Sequence, residues 1–341
     1  MTEVRRIYPW DKLGLAEVKA LLAREGLGLD EHLDYTAGLW EGEQLVATGS
    51  FYRNTLRCLA VDQGYQGEGL MARMVSHLVD ELFQRGQREL FIYTKKDAAK
   101  SFTSLGFYEI AALDEVVFLE SRRNGFENYL KRLERPDLPE NARIGAVVMN
   151  ANPFTLGHRW LVEQAARRCD ALHLFMVSED VSAFPRAVRD QLIRAGTADL
   201  PHVYCHPTGP YLVSSATFPS YFIRESDALT LAHARLDAAV FTRIARELHI
   251  TDRFVGEEPL SPATALYNRA MQELLPLAGV QLTIFPRKSD DGTTPISASR
   301  VRALLKEDNL PAIRPLVPET TYAFLESEEG QRIAQALREK P

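Results

Sequence analysis

A continuous apolar run, Ile144 to Met149, begins the second half of the chain. Such a run is typical of a strand buried on both faces of a parallel sheet. Further strands are predicted at 171–177, 203–206, 253–255 and 281–285, and segments of helical periodicity alternate with them. Because strands that alternate with helices form parallel βαβ units, this half predicts a doubly wound α/β domain. Ligands of such domains bind at the carboxyl ends of the strands.

The first half mixes its elements differently. Strands are predicted at 45–52 and 56–61, and a glycine-rich turn joins the second strand to an amphipathic helix at 70–85. This pattern predicts an α+β domain. The segment 135–141 places two prolines among polar residues, which interrupts any helix or strand. We therefore expect two domains, at 1–135 and 142–341.

Charge and cysteine content exclude some classes of binding partner and indicate the cellular compartment. The formal net charge of −6 argues against broad nucleic-acid binding, which needs a basic face. No apolar run is long enough to span a bilayer, and residues 1–10 lack the apolar core of a signal peptide. Three widely separated cysteines suit a reducing compartment. We expect a cytoplasmic protein that binds neither nucleic acid nor membrane.

The loop from Asn150 to His158 follows the first buried strand and leads into a helix. Unpaired amides and the helix dipole at such a helix start favour phosphate. Gly157 allows close approach of the backbone, while Thr155 and His158 supply a hydroxyl and an imidazole. The open alternative is that Asn-Pro forms a turn and that Thr155 or His158 only caps the helix.

A second polar motif occurs near the end of the domain, at Ile296 to Arg302. Ser297 and Ser299 stand at a predicted helix start, and Arg302 faces the same way one turn later. The alternative is a serine-capped amphipathic helix without a ligand. No Walker A sequence occurs, which favours adenylyl transfer over γ-phosphoryl transfer.

Together the two motifs resemble those of the nucleotidylyltransferase superfamily, whose signature pairs His/Thr-x-Gly-His with Ile-Ser-x-Ser/Thr-x-x-Arg. The resemblance implies catalytic roles for Thr155, His158 and Arg302. It implies ATP-binding roles for a larger group of residues, Asn152, Phe154, Gly157, Gly256, Glu257, Ser297 and Ser299. Mg²⁺ is expected to arrive with the nucleotide, so no protein metal ligand is predicted.

The turn at 63–70 resembles the acetyl-CoA-binding loop of the GNAT acetyltransferases, with Met71 in place of the last small residue. The stretch 100–108 is similar to the closing helix and Gly-Phe corner of that family. The resemblance implies that Gln66, Gly67 and Gly69 bind a pyrophosphate-containing arm. A glycine-rich turn without a ligand is the alternative.

A GNAT-like domain followed by a nucleotidylyltransferase domain resembles the citrate lyase ligase family, as does the block Ser214 to Phe222. The resemblance implies that acetate and ATP form acetyl-adenylate and pyrophosphate. The thiol of a dephospho-CoA-type prosthetic group on the acyl carrier subunit of citrate lyase then takes the acetyl group. Arg189 and Arg287 are weaker phosphate candidates. Residues 215–221 are expected either to line the acetate pocket or to form a packed structural loop.

Three alternatives remain open. The first is a nucleotide-forming adenylyltransferase with an accessory docking domain. In the second, the N-terminal domain is only a docking module for the citrate lyase complex. The third is an N-acetyltransferase that uses no ATP.

Overall fold

The computed structural model describes residues 2–212, 218–219, 221, 226–257, 262–289 and 294–339. The chain forms two compact units. The first contains residues up to 128 together with the described residues between 217 and 239, and the second contains the remainder. The domain limits 1–135 and 142–341 stay a prediction.

A seven-stranded mixed sheet forms the first unit. Its strands are β1 (Glu3–Ile7), β2 (Tyr35–Glu41), β3 (Gln44–Tyr52), β4 (Thr55–Val61), β5 (Phe91–Thr94), β6 (Tyr108–Ala112) and β7 (Val117–Glu120). They lie in the order β1-β2-β3-β4-β5-β7-β6. Strand β4 pairs with β5 in parallel, and the other neighbouring pairs are antiparallel.

Helices of the first unit cover this sheet. They are α1 (Lys12–Arg24), α2 (Leu70–Gln84) and α3 (Lys96–Ser104), and α4 (Gly125–Arg132) continues into the second unit. The predicted apolar face of α2 is confirmed, because Leu70, Met74, Leu78 and Leu82 are all buried. These side chains pack in one core with residues of β4, β5 and β7, including Ile92. Burial of this apolar stripe stabilises the helix on the sheet.

The second unit contains the predicted parallel sheet. Its strands are β8 (Ile144–Met149), β9 (Ala171–Met176), β10 (Val203–Pro207), β11 (Asp252–Gly256) and β12 (Gln281–Phe285). They lie in the order β10-β9-β8-β11-β12, and all neighbouring pairs are parallel. The order reverses between β8 and β11, so the doubly wound arrangement is confirmed.

Helices connect these strands and complete the unit. They are α5 (Leu156–Ala166), α6 (Arg186–Thr197), α7 (Ser226–Glu247), α8 (Pro262–Leu274), α9 (Ala298–Lys306), α10 (Glu319–Glu326) and α11 (Glu328–Glu339). Residues of α5, α6, α9, α10 and α11 share one apolar core with β8 and β9. Helix α7 begins in the first unit and ends in the second. Across the described ranges, none of the helices is both long and apolar enough to cross a bilayer.

Strands β8 and β11 pair only at their amino ends. Two residue pairs are in register, Asp252 with Gly145 and Arg253 with Ala146. Arg143 holds this end together, because its Nε and Nη2 donate to the two carboxylate oxygens of Asp252 at 2.8 and 2.5 Å. This bidentate bond holds the pKa of Asp252 below its usual range, although burial opposes the shift. The strands separate towards their carboxyl ends, where the reversal of strand order predicts a ligand crevice.

Candidate functional site

The loop after β8 folds into a tight cap on helix α5. Thr155 is the N-cap residue, and its hydroxyl accepts a bond from the backbone N–H of His158 at 3.4 Å. In return, Nδ1 of His158 accepts a bond from the backbone N–H of Thr155 at 3.1 Å. This capping box satisfies amides that the helix start would leave unpaired. It also fixes the imidazole at the carboxyl edge of the sheet.

The cap determines which proton His158 carries. Nδ1 accepts from an N–H group, so in the neutral ring the proton is assigned to Nε2, which becomes a hydrogen-bond donor. Burial, together with the positive charge of Arg287, lowers the pKa of His158 to about 4. The ring is therefore neutral near pH 7. A neutral donor held in a fixed orientation suits the stabilisation of negative charge on a phosphate.

Thr155 is almost fully buried, at 1% exposure, and its hydroxyl also lies 2.9 Å from Nδ1 of His158. These contacts are those of a residue that positions the imidazole. The direct phosphate contact predicted for Thr155 stays a prediction.

The second motif forms the start of helix α9. Ser297 is the N-cap, and its hydroxyl accepts from the backbone N–H of Arg300 at 3.2 Å. One turn later, Arg302 donates through Nη2 to the hydroxyl of Ser299 at 3.0 Å and through Nη1 to the carbonyl of Asn152 at 2.5 Å. The guanidinium therefore joins the two motifs directly. Burial lowers the pKa of Arg302, but an arginine remains cationic.

Gly157 brings the backbone of the first motif close to the backbone of the second. A Cβ atom built on Gly157 would lie 2.9 Å from the carbonyl oxygen of Ile296. A distance below 3.0 Å is one that real Cβ atoms essentially never show. The absence of a side chain at Gly157 thus lets the first motif contact the backbone of the second. The sequence predicted a close approach to a ligand, and the neighbour observed here is protein backbone.

The ends of β11 and β12 contribute to the same edge of the sheet. Arg287 follows β12 and donates through Nε to the carbonyl of Glu257 at 2.8 Å. Its positive charge contributes, after burial, to the lowered pKa of His158. Gly256 ends β11, and no atom of the described residues lies within 4 Å of a Cβ built there. The next residue, Glu257, is exposed.

Phe154 and Asn152 lie beneath the crevice. The ring of Phe154 is completely buried and stacks on the ring of His158 with 5.8 Å between centroids. The side-chain oxygen of Asn152 accepts from the backbone N–H of Phe184 at 2.9 Å. Both residues therefore support the loop, and the nucleotide contacts predicted for them stay predictions.

Arg189, which the sequence suggested as a weaker phosphate ligand, is buried in the interior at 1% exposure. It donates to the carbonyl oxygens of Phe184, Asn150, Val177 and Glu179 and to the side-chain oxygen of Asn150. These bonds hold together the segments that follow β8 and β9. Arg189 is thus a structural residue of the crevice floor.

A separate cavity of about 720 Å³ lies within the first unit. Gln66, Gly67 and Gly69, predicted to bind a pyrophosphate-containing arm, all line it. Gly67 and Gly69 have φ values of +88° and +77°, a conformation that favours glycine. Gly69 is the N-cap of α2 and supplies no side-chain cap, so the first amides of the helix face the loop side.

Sequence reasoning missed one contributor. Asn150 positions Arg189 and also contacts Ser182, and its place directly after β8 is the signal that could have identified it. Tyr221 belongs to the stretch 215–221 suggested for the acetate pocket, of which 215–217 and 220 lie outside the described residues. Tyr221 lines the cavity of the first unit, and its part in an acetate pocket stays a prediction.

Comparison with protein families shows the class to which each half of the chain belongs. Residues 2–109 match the acetyltransferase (GNAT) family, and residues 144–325 match the family described as the citrate lyase ligase C-terminal domain. The first unit therefore has a GNAT fold. Among solved structures, the chain is similar to the ribosomal-protein-S18-alanine N-acetyltransferase from Escherichia coli, at 21% identity and a TM-score of 0.29, over 35% of this chain and 92% of that chain.

Curated relatives extend over most of the chain. It is 43% identical to the citrate (pro-3S)-lyase ligase of Klebsiella pneumoniae, over 83% of this chain and 84% of that protein. It is 36% identical to the citrate (pro-3S)-lyase ligase of Escherichia coli (strain K12), over 96% of this chain and 95% of that protein. The chain belongs to the citrate lyase ligase family and is an enzyme of the ligase class.

Proposed function

We propose that the protein activates citrate lyase by acetylating the thiol of a dephospho-CoA-type prosthetic group on the acyl carrier subunit. Acetate and ATP supply the acetyl group and the driving force, and AMP and pyrophosphate are the other products. The proposal rests on family membership and on the two sites described above. Three cysteines without disulfides and a thiol substrate suit the cytoplasm, where we expect the protein to act.

One observation carries the adenylyl-transfer part: the two polar motifs converge at the carboxyl edge of the parallel sheet. Arg302 donates to the carbonyl of Asn152, and Gly157 contacts the backbone at Ile296. The donors assembled there are the neutral His158 and the guanidinium groups of Arg287 and Arg302. Such a set fits a polyphosphate, which needs cations and N–H donors.

In the first step, a carboxylate oxygen of acetate bonds to the α-phosphorus of ATP. The bond from that phosphorus to the bridging oxygen breaks, and pyrophosphate leaves. Nε2–H of His158 is suited to donate to the phosphate oxygens as charge develops. Arg302 and Arg287 are suited to hold the leaving pyrophosphate, with Ser297 and Ser299 nearby.

In the second step, the deprotonated thiol of the prosthetic group attacks the acetyl carbon, and AMP leaves from the mixed anhydride. The cavity of the first unit suits the arm that carries this thiol. Its glycine loop and the uncapped start of α2 offer backbone amides to a pyrophosphate.

We propose that Mg²⁺ enters with ATP. Within the part of the chain that is described, no cluster of three or more His, Cys, Asp or Glu residues could hold a metal ion. A magnesium ion needs few protein ligands when phosphate oxygens and water complete its shell. When bound, it would neutralise part of the negative charge of the triphosphate.

Incubation with labelled acetate, ATP and the deacetylated carrier subunit tests the proposal. We expect a labelled thioester on the carrier and AMP in equal amounts. With the carrier thiol blocked by iodoacetamide, the labelled thioester should disappear. Formation of ADP, or of a dinucleotide without the carrier, would exclude the proposed reaction.

A further inference from the structure

The cavity of the first unit lies where two parallel strands separate. Strands β4 and β5 have only two residue pairs in register, Thr55 with Phe91 and Leu56 with Ile92. Beyond these pairs, the strands line the cavity with residues 59–61 of β4 and Thr94 of β5. A sheet that opens in this way leaves a gap through which a ligand could be reached from either face.

Tyr221 stands beside the first unpaired residues of both strands. Its hydroxyl donates to the carbonyl oxygen of Tyr93, the residue after Ile92, at 2.5 Å. It interacts electrostatically with Arg57 and Cys58, the two residues after Leu56. Its own carbonyl accepts from the backbone N–H of Gly28 at 2.6 Å. Tyr221 is therefore held at both ends, at 7% exposure, next to the point of separation.

Phe218, three positions before Tyr221, packs on the face of the sheet opposite α2. Alternation along β5 places Tyr93 on the face opposite Ile92, which belongs to the core under α2. On that opposite face, Phe218 packs edge-on against Tyr93 with 5.3 Å between ring centroids. Phe218 also contacts His233 of helix α7, at 4.6 Å between centroids. Aromatic packing of this kind resists displacement of Phe218.

The order of residues along β4 shows which end of the cavity Tyr221 forms. The Tyr221 hydroxyl bonds to Tyr93, the residue directly after the last β4–β5 pair, residues 59–61 of β4 line the cavity further along, and the glycine loop with Gln66 follows. From Cys58 to Val61 the strand rises about 10 Å. An arm whose pyrophosphate binds at the loop therefore directs its thiol end towards Tyr221.

We propose that Tyr221 forms the closed end of this cavity, where it limits the length of the acyl group on a bound pantetheine thioester and blocks access from the opposite face. The inference rests on the proposed binding of the arm in the first unit. It assigns a specificity role to a residue supplied from the second half of the chain. A small acyl group such as acetyl fits before Tyr221, whereas a longer chain meets the ring.

The test measures binding of S-acetyl- and S-hexanoyl-dephospho-CoA to the full chain by calorimetry. Forcing extra methylenes against a packed ring costs enough to weaken binding about tenfold or more. We expect the wild-type protein to prefer the acetyl thioester by at least that factor. Tyr221→Ala should reduce the preference to less than about threefold. Tyr221→Phe keeps the ring and should keep the preference.

Tyr211→Ala is the matched control, because Tyr211 is equally buried but lies in the second unit and does not line the cavity. It should retain the wild-type preference. If Tyr221→Ala does not fold, Tyr221→Leu replaces it, and it should also reduce the preference for the acetyl over the hexanoyl thioester. An unchanged preference in the folded variant overturns the role of Tyr221. Failure of the wild-type protein to bind either thioester overturns the proposed arm site, and the inference with it.

Discussion

Replacing Gly157 with alanine places a methyl carbon 2.9 Å from the carbonyl oxygen of Ile296, where ordinary contact begins near 3.4 Å. The two motifs must therefore separate by about half an ångström. Overpacking of this kind costs about 1–3 kcal/mol. Alanine in place of glycine within a helix recovers at most about 1 kcal/mol. We expect a net loss of about 1 kcal/mol in the free energy of unfolding, measured in urea.

The effect on catalysis should exceed the effect on stability. A displacement of 1 Å in a reacting geometry costs about a hundredfold in rate, so half that displacement corresponds to about tenfold. Pyrophosphate release with ATP and acetate is the appropriate assay, because it reports the step that both motifs are proposed to serve. We expect Gly157→Ala to slow it about tenfold.

Gly145→Ala separates the two effects. A Cβ at Gly145 would lie 2.6 Å from the ring of Phe254 and 2.9 Å from the sulfur of Cys169, at the amino end of β8. This variant should lose stability but release pyrophosphate at the wild-type rate per folded molecule. If Gly157→Ala matched the wild type in both stability and rate, the contact between the motifs would have no functional meaning.

Three further outcomes are expected. His158→Ala should remain folded yet release pyrophosphate several orders of magnitude more slowly, since it removes the fixed Nε2–H donor. The control variant His32→Ala, at an exposed histidine, should release pyrophosphate at the wild-type rate. Full activity in His158→Ala would contradict the assignment. His173 and His206 are buried and hydrogen-bonded at 2.8 Å, and burial lowers their pKa values to about 3 and about 4, so both stay neutral in the fold. The two neutral histidines stabilise the fold fully above the unfolded pKa of about 6.5, and this stabilisation is lost as the pH falls towards 4. The free energy of unfolding in urea should therefore be at least about 2 kcal/mol lower at pH 5 than at pH 7. Equal values at the two pH values would refute this. Arg189→Lys removes most of the bonds to buried carbonyls and should cost about 3 kcal/mol or more in urea unfolding, and a loss below about 1 kcal/mol would argue against its structural role.

Local pattern was sufficient for the fold class and for the location of both motifs. The apolar run at 144–149 indicated β8, because a strand covered on both faces of a parallel sheet is largely apolar. The apolar stripe of α2 and the loop after β8 were likewise evident from short-range spacing. The polar residue types at the two helix starts pointed to phosphate before any contact was known.

Tertiary structure alone decided what each site residue contacts. Gly157 and Ile296 are 139 positions apart, and only packing of α9 against the crevice brings their backbones together. Arg189 was a candidate phosphate ligand, but it is buried and donates to carbonyl oxygens of the segments that follow β8 and β9. Tyr221 reaches the cavity of the first unit from beyond residue 200. Burial and partners depend on residues distant in the chain, so periodicity, which is local, predicts the elements but not the contacts between them.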